Sequence, residues 1–474
     1  MIRHWGLVVM GLLPIALLPH TKSYSAPHSL KVAVLTGVAP ALTGPMTRVY
    51  IEAAPIGESK TLEMRRRLIA AGAAHVNLFL PYDIVACEVP VSMDLRALIG
   101  DPRVGVSDAS RPAGAGNGIR FVDQCYENAR RSRSPAPSPA GVDREGFDDA
   151  VITVPRDIVR ESVERAETAA AAGGVEERSI EQNAEFLAGD ILMQVILPES
   201  EGHGEDWSES AIASALQGSF AAGIAYQQRF ANVPMHFIFK AEEQVATAFE
   251  PIQTTMDDHP AWIGELMTKL GIPAGSSPPL RVHDYNNRGR RYYQTDWAFT
   301  AFVASSENAI NHRFADQWYT AYALLGGPYL VIPHPAGENP FEIDPVLLFS
   351  TVFQHEMSHV FWALDEYPGP NNDSQCSSRS GYLDYANMNK VTEFLDGTLA
   401  GCPGVETVDC IMWKAKEDLG RPVCRYTQGQ VGVIDNNRND IPDVYDEAPT
   451  VEFEAALVET VNTPDVAVNM RVIS

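Results

Sequence analysis

The chain has 474 residues, 61 of them acidic against 36 basic, and a formal charge of −25. That length accommodates two or three domains, and the acidic balance argues against nucleic acid or an anionic membrane surface as a partner. Six cysteines, an even number, suit an oxidising compartment.

Residues 1–25 read as a signal peptide, with Arg3, then an apolar stretch, then small residues around 23–26. The apolar stretch is shorter than the roughly 20 residues of a membrane span, and no later segment reads as one. A secreted, extracellular protein is therefore expected. Residues 28–110 alternate strand and helix signals: an apolar opening strand, an Arg-rich helical stretch at 63–71, strands around 76–89, a short helix at 93–99 and a last strand near Val104. This is the size of a small α+β module. Residues 111–185 read as a linker and charged helical spacer. Within them, 130–141 mixes Arg131 and Arg133 with prolines and serines, the composition of an exposed processing site, and 157–178 is a charged, Ala-rich helix.

The stretch 186–446 carries the chemistry. An apolar run at 191–197 predicts a strand, helical spacing of Ile212, Leu216, Phe220 and Ile224 predicts a helix over 208–230, and 235–239 and 297–304 read as further strands. Segments 319–324 and 329–332 flank Gly326-Gly327-Pro328 as a hairpin. Asp344-Pro345 then supplies an N-cap and first-turn proline for a helix.

That helix holds His355-Glu356-Met357-Ser358-His359. One turn apart, the two imidazoles share a face and can converge on one Zn²⁺, and Glu356 is placed to accept a proton from a water there. A catalytic zinc commonly takes a third protein ligand. Asp365, on a continuous helix, would point about 240° away from His359, and Glu366 would return to the face about 10 Å further along the axis. Either serves only if the helix stops soon after His359. Asp365 is the favoured ligand and Glu366 the alternative.

His355-Glu356-x-x-His359 with Asp365 resembles the metzincin pattern H-E-x-x-H-x-x-G-x-x-H/D in its aspartate form, and Leu364-Asp365-Glu366-Tyr367 resembles the immunoglobulin-A-peptidase type of secreted bacterial metzincin. The family's turn glycine is Trp362 here. The resemblance implies an α+β fold, with a twisted, mostly parallel sheet, two long helices (one the zinc helix) and a Met-turn. Met412, in Cys410-Ile411-Met412-Trp413, matches that turn as a hydrophobic floor, and Lys414 stands where some members have a metal-binding tyrosine. The order β-α-β-β-β-β-α is what the resemblance predicts for the half-domain above the cleft. Residues 28–110 weakly resemble propeptide-like modules.

The activity implied is zinc-dependent endopeptidase hydrolysis of a protein or peptide substrate lying along the edge strand near 319–324, with Glu356 as base. Tyr367 and Tyr382 are oxyanion candidates by type and sequence proximity. Two other readings stand beside it: a metzincin-scaffold adhesion protein without catalysis, and a zinc hydrolase of the second-helix-glutamate class with Glu393 as third ligand.

Cys376, Cys402, Cys410 and Cys424 are expected to pair among themselves, and Cys87 with Cys125. Residues 435–446 place oxygens at Asp435, Asn437, Asn439, Asp443 and Asp446, a spacing that suits Ca²⁺. The glycine usual at the sixth position is Asp440. Residues 447–474 form a tail too short for a separate β-sandwich.

Overall fold

The computed structural model describes residues 45–108, 116–133, 183–202, 206–316, 321–336, 343–368, 374–393, 399–413, 420–446, 450–454 and 469–473. Residues 1–25, expected as a signal peptide, the expected 157–178 spacer and Lys414 lie outside them, as do most of 130–141 and of the tail. Strands β1 (Met46–Glu52), β2 (Ala74–Phe79), β3 (Ile84–Pro90) and β4 (Gly105–Asp108) open the chain, with helices α1 (Glu58–Ala70) and α2 (Leu95–Ile99) between them and α3 (Asn117–Ser132) after. There follow β5 (Gly189–Ser200), α4 (Glu209–Arg229), β6 (Met235–Thr247), α5 (His259–Lys269), α6 (Pro278–Tyr293), β7 (Trp297–Ser305), β8 (Tyr322–Ala323), β9 (Tyr329–His334) and α7 (Pro345–Val360).

Nine strands form one sheet in the order β4-β1-β3-β2-β6-β5-β7-β9-β8. Its central run β2-β6-β5-β7-β9 is parallel, and antiparallel pairs close both edges. A central parallel strand must be apolar on both faces, and β5 is. Ile191, Met193, Val195 and Leu197 enter one core, while Leu192 and Ile196 enter the opposite face. Helices α3, α4 and α7 fill the first side, and α1, α5 and α6 the second.

The stretch expected as a propeptide-like module supplies four strands of this sheet, and residues 39–474 cluster as one unit. β2 joins β6 in parallel, Leu78 opposite Ile238 and Phe79 opposite Phe239. The junction is polar at its centre. Asn77 and Gln227 exchange amide hydrogen bonds of 2.7 Å each way, and Asn77 also donates to the Tyr126 hydroxyl and accepts from the Phe237 N–H. Arg65, fully buried, forms an ion pair with Asp190 at 2.8 Å. Groups this deep must be partnered to be tolerated, so these contacts fix the docking register.

A hairpin stands at this position: β8, two residues of the expected 319–324 arm, pairs antiparallel with β9 around Gly326 and Gly327, both at positive φ, 80° and 83°, while 319–320 lie outside the described residues. At the head of α7 the Asp344 side chain accepts from the Val346 N–H at 3.0 Å, the N-cap that satisfies an otherwise open helix donor.

Candidate metal centre

Helix α7 is buried along almost its whole length, which holds His355 and His359 rigidly against the core. It ends one residue after His359. Trp362 takes φ 75°, its N–H bonding to His359 O and the Ala363 N–H to Ser358 O, both at 2.9 Å. This is the paired closure of a Schellman motif, in which the left-handed position is ordinarily glycine. Trp362 is held there by its surroundings. The indole Nε1–H donates to Ala184 O at 3.0 Å, the Ser380 hydroxyl donates to Trp362 O at 2.6 Å, and the ring lies against Gly326 so closely that a Cβ there would overlap it.

The turn sends the chain back past the histidines. His355 Nε2 and His359 Nε2 lie 3.1 Å apart, and Asp365 Oδ1 is 3.3 Å from each. His355 Nδ1 faces Ile411 O at 2.9 Å and His359 Nδ1 faces Ala363 O at 2.7 Å. A carbonyl accepts, so both Nδ1 atoms carry the proton and both Nε2 atoms present lone pairs toward the same point. Two lone pairs and a carboxylate oxygen within 3.3 Å, all buried, repel one another unless a cation lies between them. The donor set, two imidazoles and a carboxylate, is one that zinc accepts while keeping a fourth position for water. Glu356 is buried beside His355.

Adjacent residues of an extended chain point to opposite sides, and Asp365 and Glu366 divide in this way. Asp365 meets the histidines; Glu366 meets Cys410 and Cys424 in a second buried cluster. Its Oε1 accepts from the Cys424 thiol at 2.9 Å and the Thr427 hydroxyl at 3.0 Å, and its Oε2 from Asn389 Nδ2 at 2.5 Å. Burial, reinforced by Cys424, pushes this carboxyl well above the usual range. The backbone between the clusters is clamped. Asn387 Nδ2 and the Ser374 hydroxyl donate to Asp365 O at 2.9 and 3.0 Å, and Lys390 Nζ donates to Tyr367 O at 2.5 Å. Sequence reasoning missed Asn387, Asn389 and Lys390. A donor that grips a backbone carbonyl leaves no motif, and only their closeness to the disulfide loop hinted at them.

Of the four cysteines expected to pair here, Cys376 and Cys402 are bonded, while Cys410 and Cys424 carry free thiols. Cys87 and Cys125 are free as well, buried in separate cores on the two sides of the sheet. The bonded pair supports the clamp, since Cys402 Sγ lies 3.6 Å from Asn387 O and 3.5 Å from Lys390 O.

Met412 sits in a turn closed by Trp413 N–H to Cys410 O at 3.0 Å, and is buried in the core that holds Met357. Its neighbour Ile411 orients His355, and Met412 O accepts the Glu366 N–H at 3.0 Å. Glu393 lies on a short strand, Val391–Glu393, and not on a second helix. The Tyr367 ring centroid is 6.4 Å from that of His355, whereas Tyr382 is exposed and packs on Phe186.

In the 435–446 loop the expected oxygens face the loop's own donors. Asp435 accepts from the N–H groups of Arg438, Asn439 and Asp440. Asn437 accepts from Asn439, Asn439 from Ile441, and Asp443 from Asn436. Asp440, in the glycine position, takes φ 66°, and Asp446 ends the short helix Asp443–Asp446. No family model, curated protein or solved structure matches the chain.

Proposed function

We propose that this chain is a secreted zinc-dependent endopeptidase of metzincin type. The observation that carries the reading is the meeting of His355 Nε2, His359 Nε2 and Asp365 Oδ1 within 3.3 Å, with Glu356 adjacent. A zinc ion bound there would acidify a water and polarise the substrate carbonyl. Glu356 then takes the proton from the attacking water and delivers it to the leaving amine. Ile411 O and Ala363 O hold the two imidazoles in the tautomer that leaves Nε2 facing the ion. A peptide adds as a further strand beyond β8, the last strand of the sheet on that side. Export is supported by the N-terminal sequence and by the Cys376–Cys402 bond. The 435–446 loop is proposed as a calcium site, and an unchanged melting temperature on calcium depletion would remove it.

The deciding experiment is Glu356→Gln assayed on casein or gelatin. Loss of the base is expected to lower cleavage by about 10²- to 10⁴-fold while the metal content stays at the parent value. Parent-like cleavage by the variant would sink this mechanism, and no cleavage by the parent itself would favour the binding scaffold.

A further inference from the structure

We propose that Glu366, Cys410 and Cys424 bind a second divalent ion of the zinc class, distinct from the one at the histidine pair and structural in role. The three donor atoms come from three segments of chain, all buried, and lie within 4.8 Å of one another. Thr427 Oγ1 completes a four-cornered arrangement, at 3.0 Å from Glu366 Oε1, 3.2 Å from Cys410 Sγ and 3.5 Å from Cys424 Sγ. The remaining short edge, Cys424 Sγ to Glu366 Oε1, is 2.9 Å. Four of the six edges are thus 2.9–3.5 Å and the two from Cys410 Sγ to Cys424 Sγ and to the Glu366 oxygen are within 4.8 Å, a range that brackets the edges of a site with zinc bonds of about 2.0–2.3 Å.

The donor chemistry selects the metal. Two sulfurs and one carboxylate are a soft set, suited to zinc and unsuited to calcium or magnesium. Both sulfurs already accept backbone N–H groups, Cys410 from Cys424 at 3.3 Å and Cys424 from Thr427 at 3.5 Å, the contacts that favour thiolates. Asn389 holds the second oxygen of Glu366 and so sets the carboxylate's orientation. With protein donors at all four corners there is no position for a reacting water, so the site stabilises and does not catalyse. It joins the segments that shape the first centre, since Glu366 follows Asp365 and Cys410 precedes the Ile411 carbonyl that orients His355.

The test uses the full-length protein prepared in zinc-replete medium without chelator. Elemental analysis should give two zinc equivalents per chain. Cobalt substitution should give a sulfur-to-cobalt charge-transfer band in the near ultraviolet, which two imidazoles and a carboxylate cannot produce. Cys424→Ser and Cys410→Ser should each lose the band and one equivalent. A His355→Ala/His359→Ala variant should keep the band while losing the other equivalent. One equivalent in the parent with no cobalt band would overturn the proposal, and so would an intact mass showing Cys410 bonded to Cys424. The parent measurements decide even where a serine variant fails to fold. A parent that shows the band but cleaves nothing would sink the endopeptidase reading and leave this one standing.

Discussion

Asp365 and Glu366 are neighbours in sequence and opposites in chemistry. The first faces two imidazoles, with the buried Glu356 next to His355 in the chain; the second faces two thiols and a threonine hydroxyl. The two carboxylates therefore differ through the partners that the fold brings to each side of one extended dipeptide. The comparison breaks most directly in paired variants. Asp365→Asn should lose the metal at the histidines and lower cleavage more than about 100-fold, because changes to outer partners alone cost about 10- to 100-fold. Glu366→Gln should keep cleavage within about tenfold of the parent and lower the melting temperature. Equal loss of cleavage in both would mean that the two clusters act as one site.

Acidity sharpens the comparison by supplying a background common to both sides. Burial holds His236, His283 and His334 down to about 4 and His259 to about 3, all of them outside the two clusters. A histidine depressed in the fold takes up its proton first in the unfolded chain. Its contribution is complete above about 6.5 and is lost as the pH falls toward 4, on the order of 3 kcal/mol for each group. Melting temperature should fall in that window in the parent and in both carboxylate variants alike. A flat profile between pH 7 and 4 would show that these imidazoles are not buried neutral.

A smaller effect separates the two asparagines of the clamp. Asn387 grips the Asp365 carbonyl and Asn389 the Glu366 carboxylate. Asn389→Ala should cost about 1–3 kcal/mol by stranding a buried carboxylate oxygen, and Asn387→Ala about 1 kcal/mol, because the Ser374 hydroxyl still donates to the Asp365 carbonyl. Only Asn387→Ala should also reduce zinc affinity at the histidines, measured by chelator competition.

Much of the first cluster was legible in the sequence because its logic is local. Two histidines one helical turn apart meet whatever the rest of the fold does, and Asp344-Pro345 marks where their helix begins. Asp365 was favoured over Glu366, and His355, His359 and Asp365 do meet, but helix spacing alone could not decide between the two carboxylates, since that depends on the exit angle of a turn made by a tryptophan in a glycine position. The pairing expected of Cys410 and Cys424 failed for a related reason. Sequence shows that cysteines are available, but not which polar groups they meet, and here both sulfurs lie against the Thr427 hydroxyl and Cys424 also against the Glu366 carboxylate. The alternation of strands and helices over 28–110 was readable, but the parallel junction of β2 with β6 was not. It joins residues about 160 apart, and nothing near Asn77 announces a partner at Gln227.

The finest test concerns the turn that separates the two carboxylates. Trp362 accepts a left-handed conformation that costs a non-glycine residue about 1 kcal/mol, and offsets it through the indole's bond to Ala184 and its packing on Gly326. Trp362→Phe keeps most of the packing and loses the bond, for an expected destabilisation of about 1 kcal/mol. Trp362→Gly removes the strain but also the ring, and should still be the less stable of the two, with cleavage reduced as Asp365 loses its fixed approach. A glycine variant that melts above the parent would mean that the ring contributes little. The separation of Asp365 from Glu366 would then rest on the backbone closure after His359 alone.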